Sequence, residues 1–334
     1  MLFEERKKAW RELYDGGRQS VVMLYFDDNE RPWPYPENKR ARIDWALKTY
    51  RAQCERAAWL KDDRVPFLSP YTGTEIFAQA FGCEVHLPGD NMPFALPLVE
   101  STAEAAKLKT PDPEGALRAV WDIAEALHAA EPDAVLALPD IQSPLDIAAL
   151  IWEKTDFYAA LLTEPEAVLE LTEKVYTLLT GFLDRWFDRF GRAFVAHYPD
   201  YYMPYGVTLS EDEVGVISPA LFERFCLPTL GALSDRYGMI GIHCCAEAKH
   251  QWGLLKNIPG FTLFNLSPYR NVEETAREAS IYFRDGPPLW LRGPDMNTYH
   301  DFRSRAVLLA NADSKDEAIG ELRRLREYSS QFKK

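Results

Sequence analysis

The sequence predicts an α/β fold, a (β/α)8 TIM barrel carrying an N-terminal helical extension. Three observations predict it. Short apolar runs alternate with longer stretches of helical periodicity, the pattern of parallel strands joined by helical crossovers. The 334 residues fit one closed barrel of roughly 250 residues plus an extension. An open doubly wound sheet satisfies the same order, but neither G-x-G-x-x-G nor G-x-x-x-x-G-K-[ST] follows any strand. The expectation is therefore one domain over 1–334, with residues 1–62 as extension and 63–334 as barrel.

Taken in order, VVMLYF at 21–26 reads as a buried strand. The loop Arg31-Pro32-Trp33-Pro34-Tyr35-Pro36 cannot be helix or central strand, because proline lacks the backbone donor. Residues 38–61 carry a helical stripe of Ile43, Leu47, Tyr50, Cys54 and Ala58. VPFLS at 65–69 is the next strand, and 84–100, with three prolines and no period, is a long ordered loop or lid. Asp112-Pro113 opens a helix and AVLAL at 134–138 is a strand. A helix follows from about Leu145, and Thr163-x-x-Glu166 gives a capping box for the next, which Gly191 stops. AFVAHY at 193–198 is a strand, and Ser218-Pro219 starts a helix that Pro228 kinks and Gly238 ends. MIGIH at 239–243, FTLFNL at 261–266 and VLLAN at 307–311 are strands, and 315–328 is a charged amphipathic helix.

Composition narrows the function. Hydrophobic residues make up 47% and aromatics 13%, enough for a large core. The formal net charge is −13 with no basic run, which argues against nucleic acid or an anionic membrane surface as partner. No apolar run approaches the roughly 18 residues a bilayer span needs, and MLFEERKKAW lacks a signal-peptide core. The five cysteines are odd in number and two are adjacent, unlike a disulfide framework. A reducing, cytoplasmic setting with free thiols is expected.

The sharpest chemical feature is Gly241-Ile242-His243-Cys244-Cys245-Ala246-Glu247, where the strand 239–243 ends. Strand C-termini form the active-site face of a parallel barrel. Side chains alternate along extended backbone, so His243 and Cys245 face one centre. Imidazole and thiolate suit zinc, which at a catalytic site takes three protein ligands and an open position. Glu247 is the favoured third ligand or proton relay, and His250 lies just beyond as a substrate-binding or surface residue. Glu211-Asp212-Glu213 could supply an acid or base, or be a solvated charge run. Asp140, Gln142 and Asp146 follow strand 134–138 in the equivalent topological position, although Asp146 could simply cap a helix.

Several of these residues stand in an order that resembles the uroporphyrinogen decarboxylase-like superfamily, most closely its corrinoid-related methyltransferase branch. The landmarks are Leu209-Ser210-Glu211-Asp212, Ile217-Ser218-Pro219, Leu227-Pro228 and Ile242-His243-Cys244-Cys245. Upstream stand Thr72-Gly73, Ala80-Phe81-Gly82-Cys83, Gln142-Ser143-Pro144-Leu145-Asp146, Asp156 and Glu164-Pro165-Glu166. The resemblance spans most of 65–270 and implies a TIM barrel.

In the methyltransferase branch it implies zinc on His243 and Cys245, activating a thiol that takes a methyl group from a corrinoid, with a corrinoid protein as a possible partner. In the decarboxylase branch it implies N-terminal arginines binding substrate carboxylates and an aspartate serving the pyrrole nitrogens. The chain departs from both. The resemblance implies a third ligand from a late cysteine, and no cysteine follows Cys245; either Glu247, Asp295 or His300 substitutes, or zinc does not bind. Ala246 replaces the motif glycine, and Arg31 to Arg42 does not reproduce the R-Q-A-G-R-Y core. The rival expectations are a metal-free decarboxylase using Asp140, Asp146 or Asp212, and a non-catalytic corrinoid-binding protein.

Overall fold

The structure, a computed structural model, describes residues 3–26, 30–266, 272–291 and 303–330. Its strands are β1 (Ser20–Tyr25), β2 (Phe67–Leu68), β3 (Val85–His86), β4 (Phe94–Ala95), β5 (Val135–Leu136) and β6 (Phe194–Val195). They continue with β7 (Tyr202–Met203), β8 (Val207–Ser210), β9 (Ile240–Cys244), β10 (Phe261–Leu266), β11 (Leu289–Leu291) and β12 (Ala306–Asn311).

Six strands form one parallel sheet in the order β1-β12-β11-β10-β9-β8. A second parallel pair, β2-β5, stands apart from it in the ladder. The pair touches the sheet on both sides. The bridge Gln142↔Ser210 links it to β8, and Asp63 N–H donates to Val22 O at 2.7 Å beside β1. Among the described residues no continuous ladder runs the whole way round. The expected barrel is thus seen as a mixed α/β architecture with parallel strands in chain order.

The sheet is buried on both faces, which explains its near-continuous apolar runs. Val21, Val22, Met23, Ile240, Ile242, Phe264, Val307 and Leu308 are all buried. Helices cover it, the longest being Pro165–Phe190. Its inward face sets Phe182 and Trp186 against Trp121 at 4.7 and 5.8 Å between ring centres.

The strand expectations at 21–26, 65–69, 134–138, 193–198, 239–243, 261–266 and 307–311 all fall on strands. Ser218 accepts from Leu221 N–H as a helix cap, the helix breaks at Cys226 before Pro228, and Gly238 closes it at φ +97°.

Four expectations are corrected. Residues 1–62 are not only an extension: β1 lies within them and pairs with β12 along its whole length. Residues 84–100 contain a small hairpin, β3-β4, held by cross-strand pairing rather than by any apolar period. The Thr163 capping box does not form, because Thr163 closes the preceding helix and its hydroxyl turns back to Ala159 O. In the helix Lys39–Trp59 the buried face is Arg42, Ala46, Tyr50 and Gln53, one position off the apolar stripe, and Cys54 is half-buried. That helix uses polar side chains to serve neighbouring backbone: Gln53 accepts from Phe67 N–H and Arg42 donates to Pro70 O.

Candidate metal centre

The C-terminal ends of β5, β8, β9 and β10 carry the polar residues of the site. His243 is the fourth residue of β9 and Cys245 follows its end, while Cys244 between them is fully buried. Cys244 is thus set apart from His243 and Cys245, as alternation predicts. Burial, with the Asp212 carboxylate nearby, raises the Cys244 thiol well above its usual range and keeps it an inert core group.

The third group at this centre is Asp212. One ligand atom from each of Asp212, His243 and Cys245 lies within 4.8 Å of the other two. Asp212 Oδ1 also accepts from Cys245 N–H at 2.8 Å. Close packing of the two loops allows this: a Cβ on Gly215 would stand 2.4 Å from that of Ala246. Glu247, favoured from the sequence as third ligand, is exposed and outside this trio. The strand ends at Cys244 and the chain turns toward the short helix Lys249–Gln251, so alternation stops predicting direction at that point. Asp295 and His300 lie outside the described residues.

Each member of the trio is braced from behind. His243 Nδ1 is hydrogen-bonded to Asn265 Oδ1, its register partner on β10. An acceptor there fixes the proton on Nδ1 and leaves Nε2 with its lone pair. The Tyr198 ring stands edge-on to His243, centres 4.8 Å apart.

Asp146 does not cap its own helix. Ser143 does so, and the Asp146 carboxylate accepts from Asp212 N–H at 2.8 Å and Glu213 N–H at 3.0 Å. Burial, then the charge of Asp212, pushes Asp146 up to about 7. Glu211 is wholly buried, and among the described residues neither of its carboxylate oxygens has a hydrogen-bond partner. Burial, then the neighbouring Asp146, drives it well above the usual carboxylate range. Glu213 is held by Lys154 and Tyr158.

The remaining expected residues have different placements. Gln142 joins the site through its backbone bridge to Ser210. Asp140 faces His197, Nε2 to Oδ2 3.1 Å. His250 is exposed, and its Nε2 donates to Ile217 O at 3.1 Å, a carbonyl that Gln251 also serves. This anchors a helix start rather than facing the trio. Sequence reading missed Asn265, Tyr198 and His197. Asn265 sits in an apolar run, where a lone buried amide is itself a signal.

Imidazole, thiolate and carboxylate together match the donor set of a three-ligand zinc site with one open position. Bonds of about 2.0–2.3 Å to one tetrahedral centre set ligand atoms roughly 3.5 Å apart, within reach of small side-chain rotations.

A parallel α/β sheet that gathers such a trio at its strand ends has the layout of an α/β enzyme scaffold with a candidate metal centre. The chain belongs to the uroporphyrinogen decarboxylase (URO-D) family, whose profile matches residues 71–285. A methyltransferase from Methanosarcina mazei shares its fold, with a TM-score of 0.65 at 10% sequence identity, over 99% of this chain and 98% of that one. No curated protein sequence matches the chain. Among the described residues no helix is long and apolar enough to cross a membrane.

Proposed function

We propose that this protein is a zinc-dependent methyltransferase that moves a methyl group from a corrinoid or another small methyl donor to a thiol. The observation that carries the reading is the convergence of Asp212, His243 and Cys245 at the strand ends. The family and the methyltransferase neighbour support the general kind. We read the strand arrangement as the closed (β/α)8 barrel, with this trio at its mouth.

Zinc held by these three residues would supply Lewis acidity, keeping a bound thiol ionised at neutral pH. The protein's own groups prepare that site. Asn265 presents His243 in one tautomer, and Cys245 N–H orients the Asp212 carboxylate. Asp146 holds the Asp212 loop by its backbone. The Tyr198 ring packs edge-on against His243. A reducing cytoplasm would keep Cys245 available as a ligand.

Four carboxyl groups, Asp146, Glu211, Asp212 and Glu213, gather at and behind the strand ends, an unfavourable setting for a polycarboxylate tetrapyrrole, which needs cationic partners. The metal-free decarboxylase is therefore the weaker reading. Demonstrated turnover would eliminate a purely corrinoid-binding role.

The test is zinc content and methyl transfer from methylcobalamin to 2-mercaptoethanol. The wild type should carry about one zinc per chain. His243→Ala and Cys245→Ser should lose both metal and turnover. A folded wild type without stoichiometric zinc refutes the proposal.

A further inference from the structure

The short antiparallel pair β6-β7 (Phe194↔Met203, Val195↔Tyr202) is a hairpin inserted before β8, and its six-residue tip, 196–201, reaches three separate places. His197 meets Asp140 beyond β5, Tyr198 meets His243 on β9, and Asp200 accepts from Arg64 near β2 at 2.7 Å. The tip therefore lies across the strand ends, one contact from the trio.

We infer that His197 of this hairpin tip is the general base that takes the proton of the acceptor thiol, with Asp140 as its positioning residue. This rests on the reading of the protein as a thiol methyltransferase.

The geometry is that of an oriented imidazole. Asp140 is buried, and its backbone N–H donates to the buried Thr72 hydroxyl at 2.8 Å, which anchors its main chain. Its Oδ2 stands 3.1 Å from His197 Nε2. A neutral imidazole donating Nε2–H to that carboxylate keeps its lone pair on Nδ1. The His197 side chain is about one-fifth exposed, and the inference takes Nδ1, the nitrogen turned from Asp140, as the one that meets the thiol. It is one chain step of about 3.8 Å from Tyr198, whose ring rests on His243.

The groups facing His197 are Asp140, Asp200, Arg31 and Glu75. Burial works against its charged form, but Asp140, then Asp200, outweigh burial and Arg31, and its pKa is raised. A raised pKa makes the neutral imidazole a stronger proton acceptor. In the step, the thiol S–H bond breaks and the proton passes to Nδ1, directly or through one water. The sulfur keeps the electron pair and bonds to the methyl carbon. The bond from donor to methyl breaks, and its pair stays on the corrinoid.

The experiment follows methylcobalamin and 2-mercaptoethanol turnover against pH, with zinc content and histidine NMR titration, in wild type, His197→Ala and Asp140→Asn. Loss of about 100-fold or more is expected for His197→Ala with zinc retained, with recovery on adding imidazole. The acidic limb of the wild-type kcat/KM profile should vanish in His197→Ala and move to lower pH in Asp140→Asn. The His197 resonance should likewise titrate at lower pH in Asp140→Asn.

Zinc-loaded, active His197→Ala with an unchanged pH profile overturns the inference and leaves the methyltransferase reading standing. A wild type lacking both zinc and turnover overturns both. If His197→Ala does not fold, the NMR and pH shifts in Asp140→Asn decide the matter alone.

Discussion

Two sides of the strand-end rim are built differently. Along β8 and β9, carboxylates are held by backbone: Asp146 by two N–H groups, Asp212 by one. Along β2, β5 and β6, side chains meet side chains, as in Asp140 with His197 and Arg64 with Asp200. Backbone donors cannot lose their protons, so on the first side the donors that place the Asp212 loop keep their charge state at any pH. The second side carries the His197 imidazole, whose hydrogen bond to Asp140 runs between two side chains and which suits proton exchange. The proposed metal centre draws on the first arrangement and the proposed proton relay on the second.

The sharpest way to break this contrast is on the fixed side. Asp212→Asn should weaken zinc binding more than about 100-fold, because even outer-shell losses cost about 10–100-fold. Competition with a chelator measures it. Asn265→Ala should cost about 10–100-fold by freeing the His243 tautomer, with the fold retained.

On the exchangeable side, Glu75 is buried with Oε2 unpartnered among the described residues, and burial pushes it up to about 7. A carboxyl raised in this way binds a proton more tightly folded than unfolded. Its stabilising contribution is complete below pH about 4.5 and is lost as pH rises through about 7, a change of about 3 kcal/mol. Glu75→Gln should remove that part of the slope in denaturant unfolding between pH 5 and 8. The smallest effect is expected from Glu247→Gln. Its exposed position outside the trio predicts less than about a two-fold change in zinc affinity, since surface substitutions rarely matter.

Much of this was legible beforehand. The apolar runs of β1, β9, β10 and β12 announced themselves because both faces are buried. The pairing of His243 with Cys245 followed from strand alternation. Asp212 as the third group did not, since nothing in Glu211-Asp212-Glu213 tells which acid turns inward. That depends on Asp146 gripping the loop from 66 residues away. Of the β6-β7 hairpin only the first strand was legible, within 193–198, and the pairing was hidden for a similar reason. Its strands are two residues each, too short for any period, and its tip is placed by contacts distant in sequence. Glu247 illustrates the converse, because its nearness in sequence to His243 and Cys245 did not bring it to the trio once the strand had ended.

X-ray absorption at the zinc edge of the purified wild-type protein tests the trio most directly. The account predicts one sulfur at about 2.3 Å with nitrogen and oxygen neighbours at about 2.0–2.2 Å, and loss of the sulfur shell in Cys245→Ser. A zinc shell with no sulfur, or one unaltered by Cys245→Ser, would contradict it.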